Sequence, residues 1–285
     1  MSDNQGREPP KIREPVFNLP VVVTGLIIAF LAIHAIRALA LTYGQDAELL
    51  RAFAFVPGRL TAAFDLEGVT RALSRLAGDS ERFHIARFFL GDGSMQPWSV
   101  LTYAFLHGDV VHVAMNSVWF AIFGAPVARR IGTLRFSALF VVTALAGAGA
   151  HFALHRFDFL PVVGASAAVS GVMAAALRFV FQPGAPLGPA VPGWRLPVEY
   201  SARLPALALR DVVRERRVMQ FIFIWFVINL LFGLFSVQLG ATSAAVAWEA
   251  HVGGFVAGFI LFSLFDPPPP DPDEFIRFRA PDWRS

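Results

Sequence analysis

Six runs of mostly apolar residues divide the chain, each bounded by arginine, proline or acidic residues. A helix that crosses a bilayer needs about 20 such residues. The runs predict spans over residues 17–41, 110–128, 134–154, 165–181, 218–237 and 246–265. The first opens at Asn18-Leu19-Pro20, the second has Asp109 as candidate N-cap, the fourth is short, and the sixth stops at Asp266 and four prolines. Two long connections interrupt the pattern. Residues 43–108 mix apolar stretches with six arginines, and within them 47–55 and 69–76 read as amphipathic segments suited to lie along an interface. Residues 182–217 are rich in Pro and Gly, then in Arg, and read as a flexible loop. The pattern predicts an all-α polytopic membrane protein: a tail over 1–16, one six-helix membrane domain over 17–265, and a tail over 266–285.

Composition sharpens this reading. Charged residues make up 16% of the chain against about a quarter in soluble domains, and the mean hydropathy is +0.56. The formal charge of +3 does not point to nucleic acid, because the arginines cluster at the ends of apolar runs. Without cysteine, disulfides, thiolate metal sites and cysteine nucleophiles are excluded. The first run is long enough to span and no small-residue cleavage site follows it, so it reads as an anchor rather than a cleaved leader. With the N-terminus inside, inner segments carry 15 basic residues and outer segments 7, six of those in the long 43–108 connection. Both termini are therefore expected in the cytoplasm.

Polar residues inside spans are costly and ask for a reason. In this topology the second, fourth and sixth spans all enter from outside. His112 and Asn116 then share a face of the second span, Ser166 opens the fourth, and His251 lies near the start of the sixth. A serine hydroxyl needs a base to take its proton, and imidazole is suited to that task. Ser166 follows Gly164-Ala165 after Pro161, so its N–H is an unpaired donor at a helix start, fit for a developing oxyanion. His112 and Asn116 would add side-chain donors. No acidic residue is obviously placed as a third member, Glu249 being two residues from His251 on another face, and the arrangement reads as a Ser-His dyad.

The stretch Phe105-Leu106-His107-Gly108 with His112 and Asn116, the stretch Gly164-Ala165-Ser166-Ala167, and Ala250-His251-Val252-Gly253-Gly254 with Gly258 together resemble three signatures of the rhomboid family. The resemblance covers all six spans. It implies an intramembrane serine endopeptidase acting on transmembrane protein substrates, a Ser166–His251 dyad, an oxyanion site at His112 and Asn116, and a multi-pass protein of a bacterial inner membrane. No metal, cofactor or nucleic acid is implied; the lipid bilayer and the substrate helix are the partners. Three positions depart from the family pattern. Ala167 replaces the second glycine of the nucleophile motif, Ala128 stands where a Glu is common although Arg130 is kept, and Ser99 replaces an Arg after Trp98. Alanine at 167 is expected to be tolerated.

Plainer roles compete for several of these side chains. Ser170 reads as a packing residue and His107 as a hydrogen-bonded structural histidine. His151 and His155, four apart, lack the Glu of a metalloprotease motif and show no third ligand, so they read as interfacial. His34 and Arg37 are expected to snorkel at the outer end of the first span. Gly254 and Gly258 form a small-xxx-small face for close helix packing. Two other functions compete with proteolysis: a catalytically silent rhomboid-like binder of membrane helices, and a small transporter, for which the repeats expected of that class are absent.

Overall fold

The computed structural model describes residues 19–191, 198–235 and 246–268. Most of both predicted tails, Asn18, and the ends of the first and fifth predicted spans lie outside the described residues. The elements are α1 (Val21–Leu39), α2 (Tyr43–Phe53), α3 (Pro57–Ala62), α4 (Leu66–Ser74), α5 (Ser80–Leu90), α6 (Ser99–Thr102), a 3-10 turn (Tyr103–Phe105), α7 (Val110–His155), α8 (Ser166–Leu177), α9 (Val198–Ser201), α10 (Leu209–Val212), α11 (Arg216–Phe235) and α12 (Trp248–Phe265). The protein is all-helical, and an isolated bridge between Phe55 and Val162 is the one β feature among the described residues.

Four of these helices, α1, α7, α11 and α12, are long and apolar enough to cross a membrane. At 46 residues, α7 would run about 69 Å if straight, more than twice a hydrocarbon core. It does not stay straight. Gly132 takes φ 77° and ψ 167°, a backbone state suited to glycine, and breaks the helix between the second and third predicted spans. Across the break, the Phe120 ring meets Phe136 at 5.6 Å and Phe140 at 5.8 Å. The arms 110–131 and 133–155 therefore fold back on each other.

At the centre lies α8, only 12 residues long, and every residue after Ser166 is buried. Small side chains make this possible, because they let the neighbouring backbones approach closely. Any Cβ on Gly254 would run into the main-chain carbonyl of Ala167, and one on Gly258 into that of Gly171. The glycine face of α12 thus seats directly on α8. On the other side the Ala167 methyl fills the space left by Gly147 of α7. By contrast α11 is loosely held: Val218 and Asn229 are its buried residues out of 20, and its clearest contact is Trp225 stacked on Phe255 at 4.5 Å.

Several details correct the sequence reading. Arg37 does not snorkel. It is buried, pairs with both oxygens of Asp46 (2.6 and 3.1 Å), and donates to the His107 carbonyl at 2.7 Å, fastening α1 and α2 to the chain just before α7. The 43–108 connection contains α2 and α4 near the amphipathic segments, but also α3, α5 and α6. It is organised around buried Arg59, which donates to the carbonyls of Arg51 and Phe89 and to the Gln96 side chain. The described part of 182–217 is anchored rather than free, with the Leu207 N–H bonded to the Arg178 carbonyl at 2.8 Å. Ala128 leaves Arg130 without a nearby Glu, and Asp266 takes that place. The buried guanidinium pairs with both Asp266 oxygens at 2.5 and 2.9 Å and donates to the carbonyls of Ala202 and Leu204.

Candidate active site

Ser166 is the first residue of α8, and no side chain caps that helix end. The N–H groups of its first turn have no intrahelical acceptors. Gly164, at φ 124°, turns the chain into the helix while its N–H is bonded to the Tyr103 carbonyl at 3.0 Å. Tyr103 is held in turn by its hydroxyl donating to the Ala144 carbonyl at 2.8 Å. The strand-like entry to α8 is thereby tied to α7 before the serine is reached.

His251 sits in the first turn of α12, which the glycine face presses onto α8. Its Nε2 lies 2.7 Å from Ser166 Oγ. Its Nδ1 lies 2.5 Å from the side-chain oxygen of Asn229 on α11, and the amide nitrogen of Asn229 donates to the Trp248 carbonyl at 3.3 Å. The tautomer follows from these partners. An amide oxygen can only accept, so Nδ1 carries the proton and the Nε2 lone pair faces the serine hydroxyl. Sequence reasoning missed Asn229. Its signal was present: a lone amide in an otherwise apolar span, where an unexplained polar residue asks for a partner.

His112 lies against the turn before Ser166. A Cβ on Gly164 would sit 2.7 Å from His112 Nε2 and 3.5 Å from Ser166 Oγ, so only glycine lets the imidazole and the hydroxyl flank this point. The Gly108 N–H donates to His112 Nδ1 at 3.4 Å, which leaves the proton on Nε2, the nitrogen facing the serine turn. Asp109 caps the helix, its carboxylate accepting from the His112 N–H at 2.8 Å. Asn116 follows one turn later and is buried, with one amide hydrogen on the His112 carbonyl at 3.1 Å.

The remaining candidates fall elsewhere. Ser170 is buried within α8. His107 is buried, and its Nε2 accepts from the Ala165 N–H at 3.5 Å, buttressing the serine turn. Ala167 packs its methyl against Gly147 of α7. Ser99 donates to the Gln96 carbonyl at 2.7 Å. His151 and His155 meet a carboxylate that sequence spacing did not offer them, that of Glu249 on α12.

A family model described as the rhomboid domain matches residues 94–266. The chain belongs to the rhomboid family. Among curated relatives it is 26% identical over 167 residues to "Rhomboid protease GlpG" of Yersinia pseudotuberculosis, covering 59% of this chain and 48% of that protein. It is 27% identical over 186 residues to "RHOMBOID-like protein 6, mitochondrial" of Arabidopsis thaliana, covering 63% of this chain and 48% of the relative. The matched region is about half the length of each relative. Membership and the apolar helices make this rhomboid an integral, multi-pass membrane protein of a family that includes intramembrane serine proteases.

Proposed function

We propose that this rhomboid is an intramembrane serine endopeptidase with Ser166 as nucleophile and His251 as base. The observation that carries the reading is the 2.7 Å approach of His251 Nε2 to Ser166 Oγ, with the donating nitrogen of the ring turned the other way. Ser166 Oγ attacks the scissile carbonyl as His251 Nε2 takes its proton, and the imidazolium then protonates the leaving amine. Water, activated by the same nitrogen, hydrolyses the acyl-enzyme. The oxyanion is held by the Ser166 N–H at the helix start and by His112 Nε2–H. Asn116 has a second amide hydrogen beyond the one bonded to the His112 carbonyl, and it completes the donor set. Asn229 is a positioning residue: it accepts from Nδ1–H and stabilises the imidazolium formed during attack.

The substrate is a transmembrane protein cut near the outer leaflet, since Ser166 and His251 open α8 and α12, and α12 ends at Asp266 beside the bend at Gly132, where Arg129, Arg130 and Arg135 cluster. The same charge pattern supports six crossings with both termini in the cytoplasm. A fluorophosphonate probe on the purified protein tests the reading. Covalent labelling at Ser166, absent in Ser166→Ala, is the expected result. An unlabelled wild type would favour the silent membrane-helix binder.

A further inference from the structure

His151 and His155 stand one turn apart near the end of α7, and Glu249 reaches them from the first turn of α12. The candidate ligand atoms of the three side chains all lie within 4.8 Å of one another. His155 Nε2 is 3.0 Å from Glu249 Oε1, and His151 Nδ1 is 3.6 Å from Glu249 Oε2. Two ligands on a tetrahedral ion at 2.0–2.1 Å are about 3.3 Å apart, and these two separations bracket that value. His151 is 8% exposed, and its Nδ1 is a buried nitrogen without a hydrogen-bond partner. It is aimed into the cluster.

The second carboxylate is as informative. Asp158 sits 3.0 Å from His155 Nδ1, so that nitrogen donates its proton to a carboxylate. The neutral ring then presents the Nε2 lone pair to the Glu249 oxygen, two acceptors facing each other at 3.0 Å. Something positive must lie between them: a second proton on His155, or a cation. A carboxylate holding the far nitrogen of a histidine is the usual outer support of a metal-binding imidazole. Two imidazoles and one carboxylate form a borderline donor set that suits Zn²⁺ and its neighbours rather than Ca²⁺ or Mg²⁺. His155, a third exposed, leaves the remaining coordination position open to solvent.

We propose that His151, His155 and Glu249 form a site for a divalent transition-metal cation of the Zn²⁺ class, oriented by Asp158. The ion fastens the end of α7 to the first turn of α12, two residues before His251. The site stands apart from Ser166 and takes no part in bond cleavage.

The test uses the full chain in detergent, with any affinity tag removed, stripped with chelator and titrated with Zn²⁺ against a chromophoric competitor. One equivalent should bind. His155→Ala and Glu249→Gln should each weaken binding at least about tenfold, since losing even an outer-shell support costs ten- to a hundredfold. Asp158→Asn should weaken it within that range, and Ser166→Ala should leave it unchanged. Added Zn²⁺ should raise the melting temperature of the wild type but not of His155→Ala. His155 lies at the partly exposed helix end, so this variant stays folded and decides the matter if Glu249→Gln does not fold. No stoichiometric binding by the wild type would overturn the site and leave His155 as an imidazolium between two carboxylates. Equal affinity in wild type and His155→Ala would overturn it as well.

Discussion

The most discriminating perturbation is Asn229→Ala. Asn229 is 6% exposed, touches His251 Nδ1 at 2.5 Å, and belongs to a helix with almost no other buried residue. In the resting state it joins a neutral amide to a neutral imidazole. In the proposed mechanism Ser166 attacks, the ring becomes an imidazolium and the same contact becomes a hydrogen bond to a charged group. Such bonds contribute about 1.5–3 kcal/mol, and each factor of ten in rate corresponds to about 1.36 kcal/mol. The expected loss in kcat is therefore roughly ten- to 150-fold. KM should change little, because the interaction strengthens in the transition state. Asn229→Asp keeps an acceptor at the same position and should recover most of the loss. The assay is steady-state cleavage of a fluorogenic transmembrane substrate in proteoliposomes, with fluorophosphonate labelling rates in parallel. A melting curve establishes that each variant is folded. A kcat within about twofold of wild type for Asn229→Ala would refute the positioning role, and a change confined to KM would move Asn229 to substrate binding.

Ser166→Ala should abolish cleavage while Ser170→Ala retains it, and His251→Ala should cost as much as the Ser166→Ala, His251→Ala double variant, because groups acting as a unit are strongly non-additive. Independent, multiplying losses in the cycle would count against the pair. His112→Ala and Asn116→Ala should each lower turnover about a hundred- to a thousandfold without abolishing it, the Ser166 N–H remaining; an effect on substrate affinity alone would remove them from the oxyanion site. Gly254→Ala should slow probe labelling by about two orders of magnitude, the scale on which a 1 Å misplacement acts. The reason is that the added methyl meets the Ala167 carbonyl and shifts α12 off α8; labelling at the wild-type rate would show that the fit is not needed.

The parts of the fold carried by local pattern were legible. Apolar run length marks each of the four helices long enough to cross a membrane, and Gly132 sits between two runs that charge placement already separates. The meeting of Ser166 and His251 could be read ahead because each occupies the first turn of its helix and the charge pattern expects both spans to enter from one side. What remained hidden are pairings between residues far apart in the chain. Arg37 looked like an interfacial cation because nothing in its own helix announces Asp46 or the carbonyl of His107. Asp266 looked like a stop signal, and it is the partner of Arg130, 136 residues earlier. Glu249 was set aside for lying on a different face from His251, which is true; that face meets His155, 94 residues earlier. In each case a charge was visible and its partner was not.

Asn229 shows why that difference matters for the chemistry. Ser166 is fixed by α8, which protein surrounds on all sides, and His251 by α12, whose glycines leave no slack against the α8 carbonyls. These two placements set the Nε2–Oγ distance but do not choose which ring nitrogen is protonated. That choice comes from α11, the least buried of the four membrane-length helices, through one amide oxygen. The approach of Ser166 to His251 therefore depends on main-chain contacts that tolerate no larger residue, whereas the tautomer depends on a single side-chain contact. A loss of packing between α8 and α12 should lower activity by separating the reacting atoms. A loss at Asn229 should leave the atoms in place and weaken the base, which makes the two kinds of damage separable by structure as well as by rate.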